Sequence, residues 1–186
     1  MQDRARARRE LEIPDDAFVV AVLPGSWPES EHPILDLVLG AFDLLDSQPR
    51  RLIWMAGSDQ AFVQARANGR KDITVSGYEP QIDRVMAAAN VAVSKGTRKT
   101  LFELTQLGIP SVSIPNPSTR VDRFRSAHFP GTITLDDGVS AELLARHLME
   151  SANRVIAPAR YGNAARNCAG LILSLRGECG DETTIL

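Results

Sequence analysis

Short apolar runs alternate along this chain with longer segments in which apolar residues recur every three or four positions. The first run, FVVAVL at residues 18–23, is apolar at every position, as is typical of a parallel strand that helices cover on both faces. Further strands are predicted at residues 51–56, 72–76, 91–94, 111–114 and 132–135. This alternation predicts a doubly wound α/β fold with a Rossmann-like parallel sheet of about six strands.

Helices are predicted between these strands, at residues 33–46, 59–67, 81–89, 100–107, 118–129 and 140–151, with another over 162–175. Pro33 is suited to the first position of its helix. Gly108 directly follows the last turn of another, where glycine commonly ends a helix. We therefore predict an N-terminal helix or linker over residues 1–16, one α/β domain over 17–153, and a C-terminal helix with a loose tail over 154–186.

The composition of the chain argues against nucleic-acid-binding, membrane-spanning and secreted proteins. A net charge of −2 over 186 residues gives no sign of a nucleic-acid partner. No apolar run approaches the roughly 20 residues that span a bilayer, and the arginine-rich start does not resemble a secretory signal. We therefore expect a cytoplasmic protein.

A solvated N-terminus is the simpler interpretation of the arginines, and contact with an anionic membrane surface is the weaker alternative. The scattered histidines and cysteines predict no metal site.

The candidate chemistry is concentrated in the predicted strand–helix–strand unit at residues 90–115. Thr100 and Glu103 are three residues apart and so share one side of the helix, while Leu101 and Leu104 lie on the side that packs on the sheet. The free N–H groups at a helix start suit a phosphate, and a carboxylate one turn further can accept hydrogen bonds from a ribose diol. The alternative is a surface Glu103 paired with Lys99.

A second candidate follows the first strand. Gly25 and Ser26 form a plausible phosphate loop, because glycine permits close backbone approach and a serine hydroxyl can donate to an oxyanion. The alternative is that these residues form an ordinary turn, since turns commonly contain the same residue types. The sequence G-x-G-x-x-G is absent here, which counts against a standard NAD domain.

The run VSGYEPQIDRVMAAANVAVSKGTRKTLFELTQLGIPSVSIPNPSTRVDRFRSA resembles the nucleotide-sugar half of GT-B glycosyltransferases. It is most similar to the group containing the bacterial transferase that adds N-acetylglucosamine to the peptidoglycan lipid precursor. The resemblance extends over residues 18–151, and its specific part is 77–127. Members of this family have two Rossmann-like domains that face each other across a cleft. The resemblance implies that this chain corresponds to the C-terminal one, which holds the sugar nucleotide, usually UDP-linked.

The resemblance also implies roles for individual residues. Glu103 matches the glutamate that binds the ribose hydroxyls. Gly96, Thr97 and Thr100 match residues that meet the diphosphate, and residues 25–26 match the phosphate-side loop. The aromatic-led turn at residues 77–79, with Tyr78, matches the turn near which the base is held.

This sequence departs from the family pattern at three places, and one of them is the first loop, where a single glycine is followed by the bulkier Trp27 and Pro28. Many relatives have two glycines after the fourth strand, where this chain has KGTR at residues 95–98. Lys95 or Arg98 would compensate by pairing with phosphate, or both are solvated loop cations. Relatives carry a glutamine pair, or an acid and a glutamine, that reaches the donor sugar. Asp122 and Arg123 stand at these positions, and the arginine makes the usual sugar preference an open question.

The function implied by the resemblance is glycosyl transfer from a nucleoside diphosphate sugar, which is a substrate, so no cofactor is expected. GT-B enzymes generally work without a bound metal, and no Asp-x-Asp motif is present. The catalytic base is expected in an N-terminal acceptor-binding domain, supplied in cis or by a separate chain, so we expect this chain to be inactive alone. Two alternatives remain: a non-catalytic nucleotide-binding partner subunit, and half of a sugar-nucleotide epimerase.

Overall fold

A computed structural model describes residues 3–25, 28–116, 128–136, 138–158 and 164–178 of the chain. Six parallel strands form one sheet in the order β3-β2-β1-β4-β5-β6. The predicted doubly wound α/β fold is confirmed. The strands are β1 Phe18–Leu23, β2 Arg50–Met55, β3 Ile73–Ser76, β4 Val91–Ser94, β5 Ser111–Ser113 and β6 Thr132–Thr134.

The described helices are α1 Arg4–Glu10, α2 Leu35–Asp43, α3 Gln60–Ala67, α4 Ile82–Ala88, α5 Arg98–Leu107, α6 Ala141–Ala152 and α7 Ala164–Glu178. Most lie within two or three residues of their predicted bounds. The predicted helix over 118–129 falls mainly outside the described residues, and its last two positions lie in a turn. None of the helices described here has the length and apolar character needed to cross a membrane.

Alternate residues of the central strands supply two separate apolar cores. On one face, Val20 and Val22 of β1 pack with residues of α2, α3 and α6. On the other face, Val19 and Ala21 pack with α1, α4 and Leu104 of α5. Both faces of β1 are therefore buried, which explains why the strand is apolar at every position.

Strands are added to the sheet in one direction from β1 and in the opposite direction from β4, so the order of addition reverses between these two neighbouring parallel strands. Val20 pairs with Val91 and Leu23 with Ser94, so the carboxyl ends of these two strands lie side by side. The chain leaves β1 toward β2 and β3 and leaves β4 toward β5 and β6. Ligands of open α/β sheets bind in the crevice beside such a reversal.

The arginine-rich N-terminus is not simply solvated. Arg8 is buried, and its guanidinium donates to the Ala88 carbonyl at 3.1 Å and to Asn90 Oδ1 at 2.7 Å. Asn90 Oδ1 also accepts from the Val19 N–H at 2.8 Å. The interpretation of the arginines as a uniformly solvated run is therefore wrong for Arg8, which attaches α1 to the sheet through hydrogen bonds.

A charge network links the amino ends of β2 and β3. Arg70 pairs with Asp43 at 2.7 Å and with Asp72 at 2.9 Å, and its guanidinium lies 5.6 Å from the Phe42 ring centroid. The hydrogen bond from Arg70 lowers the pKa of Asp72 below its ordinary value. Since the folded state favours the charged form, this carboxylate stabilises the fold above its unfolded pKa of about 4, and the contribution is lost as pH falls through the folded pKa.

We expect Asp72→Asn to lower the free energy of unfolding by about 1 kcal/mol at pH 7, the upper end for an accessible ion pair. The difference from the unaltered chain should shrink as pH falls from about 4 through the lower folded pKa of Asp72, because the carboxylate becomes protonated first in the unfolded state and then in the folded state. Urea unfolding at pH 7 and through this acidic range measures it. Asp36→Asn is the control, since the Asp36 side chain is 73% exposed. A difference that persists unchanged at low pH would contradict this account.

Candidate functional site

A cleft of about 560 Å³ opens at the carboxyl edge of the sheet. Its walls come from the ends of β1 and β2, the turn after β3, and the loop and first turns of α5. The lining residues are Leu23, Gly25, Met55, Gly57, Gly77, Tyr78, Glu79, Pro80, Ile82, Met86, Thr97, Lys99, Thr100 and Glu103. Five of the residues predicted from the sequence, Gly25, Tyr78, Thr97, Thr100 and Glu103, thus lie around one cavity.

The start of α5 presents backbone donors beside this cleft. The helix begins at Arg98, two residues before the predicted start, and Thr97 precedes it in an extended conformation. Leu101 N–H is bonded to the Thr97 carbonyl at 3.1 Å, and Thr97 makes no side-chain cap. The N–H groups before Leu101 have no carbonyl one turn earlier within the helix. The Thr97 hydroxyl instead donates to Thr100 Oγ1 at 2.9 Å, so both hydroxyls lie together at the helix start.

Glu103 lies one turn further along α5 and lines the same cleft. Its side chain is 32% exposed, and its nearest carboxylate oxygen is 3.9 Å from Lys99 Nζ, whose side chain is 88% exposed. An accessible pair at this distance contributes little. The carboxylate can therefore accept hydrogen bonds from a ligand without breaking a strong internal contact.

The turn after β3 forms the opposite wall. Tyr78 is 88% exposed and lines the cleft, whereas the Glu79 carboxylate is engaged internally. It accepts from Gln81 N–H at 2.9 Å and from Arg84 at 3.1 Å, and the Gln81 hydrogen bond is the main cause of the lowered pKa of Glu79. Between this wall and α5, Met55, Ile82 and Met86 supply apolar surface, which suits the flat ring of a base.

Gly25 brings the loop after β1 into contact with the start of α5. It has a φ of +72°, and a Cβ at this position would lie 3.0 Å from Thr97 Cγ2 and 3.1 Å from Thr97 Oγ1. A larger residue would therefore combine left-handed backbone strain with pressure on Thr97.

If the cleft holds UDP, as the resemblance implies, Gly25→Ala is expected to weaken UDP binding by about 5- to 10-fold, because Thr97 must move and the backbone carries about 1 kcal/mol or more of strain. Gly69→Ala is the matched control: its φ is +69°, yet a Cβ there would meet nothing within 4 Å. Calorimetric titration with UDP compares the two variants. Equal losses of affinity in both would show that the contact with Thr97 is irrelevant.

Two neighbouring residues of the loop after β4 are buried. Lys95 is fully buried and pairs with Glu29 at 2.7 Å, so it is neither a solvated cation nor positioned to meet a phosphate in the cleft. Gly96 is buried too, and a Cβ there would lie 2.9 Å from Ser113 Oγ and 3.3 Å from Pro115 Cβ. It is not among the lining residues, so its contact with a diphosphate stays a prediction.

Arg98 is exposed at the first position of α5 and does not line the cleft. Its pairing with phosphate also stays a prediction. Ser26, Asp122 and Arg123 lie outside the described residues.

Sequence reasoning missed Glu29 as a buried group and missed the apolar surface contributed by Met55 and Met86. One signal was available for Glu29, since the free N–H groups and the dipole at the start of a helix stabilise a nearby carboxylate. No group of three or more histidine, cysteine, aspartate or glutamate residues that could hold a metal ion occurs in the part of the chain that the structure describes.

Residues 20–123, which run from within β1 through β5 and include all the residues that line the cleft, match the glycosyltransferase family 28 C-terminal domain. The chain belongs to this family. A relative from Desulforudis audaxviator is 30% identical over 128 residues, covering 61% of this chain and 32% of the relative. That relative is a UDP-N-acetylglucosamine–N-acetylmuramyl-(pentapeptide) pyrophosphoryl-undecaprenol N-acetylglucosamine transferase. The match thus spans about a third of the length of this curated family 28 relative.

Solved structures agree on the fold. MurG of Acinetobacter baumannii aligns with 93% of this chain and 53% of its own, at a TM-score of 0.70 and 17% identity. The calicheamicin glycosyltransferase CalG4 aligns with 89% of this chain and 45% of its own, at a TM-score of 0.63 and 18% identity. The family 28 domain described here therefore shares its architecture with about half of each of these larger chains.

Proposed function

We propose that this family 28 domain binds the donor of a glycosyltransferase, a nucleoside diphosphate sugar that is UDP-linked, and that it transfers a hexose-type sugar once an acceptor-binding half completes the enzyme. The observation that carries the proposal is the convergence of Gly25, Thr97, Thr100 and Glu103 on one cleft at the strand reversal. The relatives named for UDP-N-acetylglucosamine support the choice of nucleotide.

Each wall of the cleft suits one part of the donor. The diphosphate lies at the start of α5, where free N–H groups and the helix dipole favour negative charge. The ribose hydroxyls donate to the Glu103 carboxylate one turn away. The base rests on the apolar surface near Tyr78, whose exposed ring can close over it. Ser26 on the phosphate side and Asp122 and Arg123 at the sugar complete the proposed contacts.

The reaction breaks the bond between the anomeric carbon of the sugar and the oxygen of the diphosphate. An acceptor hydroxyl oxygen forms the new bond, its proton passes to a base, and the nucleoside diphosphate leaves with the bonding electrons. Charge therefore develops on the diphosphate in the transition state. Donors at the α5 start that are fixed before the reaction stabilise that charge without reorganisation. We place the base in the acceptor-binding half.

The acceptor half is proposed to be part of the same chain or a separate subunit. The relatives are named for an undecaprenol-linked acceptor, which supports action at a membrane surface. We place this action on the cytoplasmic side. Exposed Arg4 and Arg9 of α1 are the groups that would meet anionic lipid, whereas Arg8 is buried and unavailable. The match to a glycosyltransferase domain favours transfer over the epimerase alternative.

Calorimetric titration of the purified chain with UDP, GDP and dTDP tests the proposal. We expect UDP to bind most tightly and expect no donor turnover until an acceptor-binding half is supplied. Failure of all three nucleotides to bind would overturn the proposed function. Binding that never leads to transfer with any acceptor half would instead favour the non-catalytic partner subunit.

A further inference from the structure

A buried ion pair lies next to the cleft but does not line it. Lys95 directly follows the last residue of β4, and its side chain is 0% exposed; Glu29, in the loop after β1, is 5% exposed. Lys95 Nζ lies 2.7 Å from Glu29 Oε1. The pair therefore joins the loops that follow the two strands at the reversal of strand order.

Glu29 makes further contacts that extend this connection. Its Oε2 accepts from the N–H groups of Ile34 and Leu35 at the start of α2, each at 2.9 Å. Its own N–H donates to Asp59 Oδ2 at 2.8 Å, and Asp59 belongs to the turn that follows β2. One residue thus links the loops after β1, β2 and β4.

The same three loops contribute residues to the cleft wall: Gly25 after β1, Gly57 after β2, and Thr97 after β4. Gly25 and Thr97 are in contact, as the close approach at Gly25 demonstrates. Glu29 and Lys95 do not line the cleft, so any effect that they have on a ligand passes through the positions of these loops.

We propose that Glu29 and Lys95 are positioning residues for the diphosphate end of the cleft, a role that rests on the proposed function. Burying two ions is costly, and a neutral pair of similar volume is often as stable. The ion pair, together with the hydrogen bonds that Glu29 makes to the start of α2 and to Asp59, instead defines the separation of the loops that bear Gly25 and Thr97. Lys95 acts on the donor through this separation and not by meeting its phosphates.

The test compares UDP with uridine, which lacks the diphosphate. In the double variant Glu29→Gln/Lys95→Met, the glutamine oxygen still accepts from the α2 start and no unpaired charge is buried. We expect UDP affinity to fall about 10-fold or more, because small misplacements of binding groups are costly, while uridine affinity stays within about 2-fold. A role in overall stability alone would lower both affinities by the same factor.

Asp59→Ala supplies a second variant, which removes the acceptor of the Glu29 N–H and leaves the ion pair in place. It should weaken UDP binding about 3-fold and leave uridine binding unchanged. Arg8→Met is the matched control, because it removes a buried cation at α1, away from the cleft. It should lower the melting temperature and keep the ratio of UDP to uridine affinity.

The outcomes separate the two proposals. If the unaltered chain binds UDP no more tightly than uridine, the proposed function fails and the positioning role fails with it. If the unaltered chain prefers UDP but both variants keep that preference, or lose UDP and uridine affinity equally, the positioning role alone is overturned. A selective loss of UDP affinity in the double variant and in Asp59→Ala supports it.

Discussion

Glu103→Ala is expected to weaken UDP binding by about 10- to 100-fold, the range for losing hydrogen bonds to a charged acceptor, without changing the fold. Glu103 lines the cleft, and among the residues that the structure describes it forms an ion pair only with Lys99, at 3.9 Å, so its carboxylate is available to a ligand. Its removal leaves the ribose hydroxyls without their proposed acceptor. Calorimetric titration with UDP measures the loss.

Glu142→Ala is a matched control, since Glu142 is an exposed glutamate in the first turn of α6 and does not line the cleft. UDP affinity should stay within about 2-fold of that of the unaltered chain. Unchanged binding in Glu103→Ala would support the alternative that Glu103 is a surface residue paired with Lys99.

The second large effect is on stability. Lys95→Met should lower the free energy of unfolding by about 3–5 kcal/mol, because it leaves the Glu29 carboxylate buried without its counter-charge. The Glu29 side chain is 5% exposed and is fixed by the two N–H groups at the start of α2, so it cannot readily turn to solvent. Urea unfolding at pH 7 measures the change.

Lys99→Met is the control, since Lys99 lies four residues further along the chain, in the first turn of α5, and its side chain is 88% exposed. Its free energy of unfolding should change by no more than about 0.5 kcal/mol. The double variant Glu29→Gln/Lys95→Met should recover most of the stability lost in Lys95→Met. A Lys95→Met protein as stable as Lys99→Met would show that the pair is not a buried ion pair in solution.

The strands and the location of the site could be predicted because both depend on local sequence signals. Because β1 is apolar at every position, both of its faces must be buried. The glycine at residue 108 ends α5 with a left-handed φ of +70°. Parallel strands place all their carboxyl ends at one edge, so loops after β1, β3 and β4 must approach each other. Gly25, Tyr78 and Thr97 meet there for this reason.

The environment of Lys95 could not be predicted in the same way. A lysine after a strand is solvated in most loops, and its partner Glu29 lies in a loop that is distant in sequence. Only the adjacency of β1 and β4 brings the two together. Arg8 is a similar case, since its buried contacts are with Ala88 and Asn90, and a charge run alone does not reveal which arginine packs inward.

The most direct measurement of the central claim is a thermodynamic cycle at the ribose. UDP and 2′,3′-dideoxy-UDP are titrated against the unaltered chain and against Glu103→Ala. The account predicts that removing the hydroxyls weakens binding to the unaltered chain by about 10-fold or more and changes binding to Glu103→Ala by less than about 2-fold. Equal losses in both proteins would contradict a contact between Glu103 and the ribose.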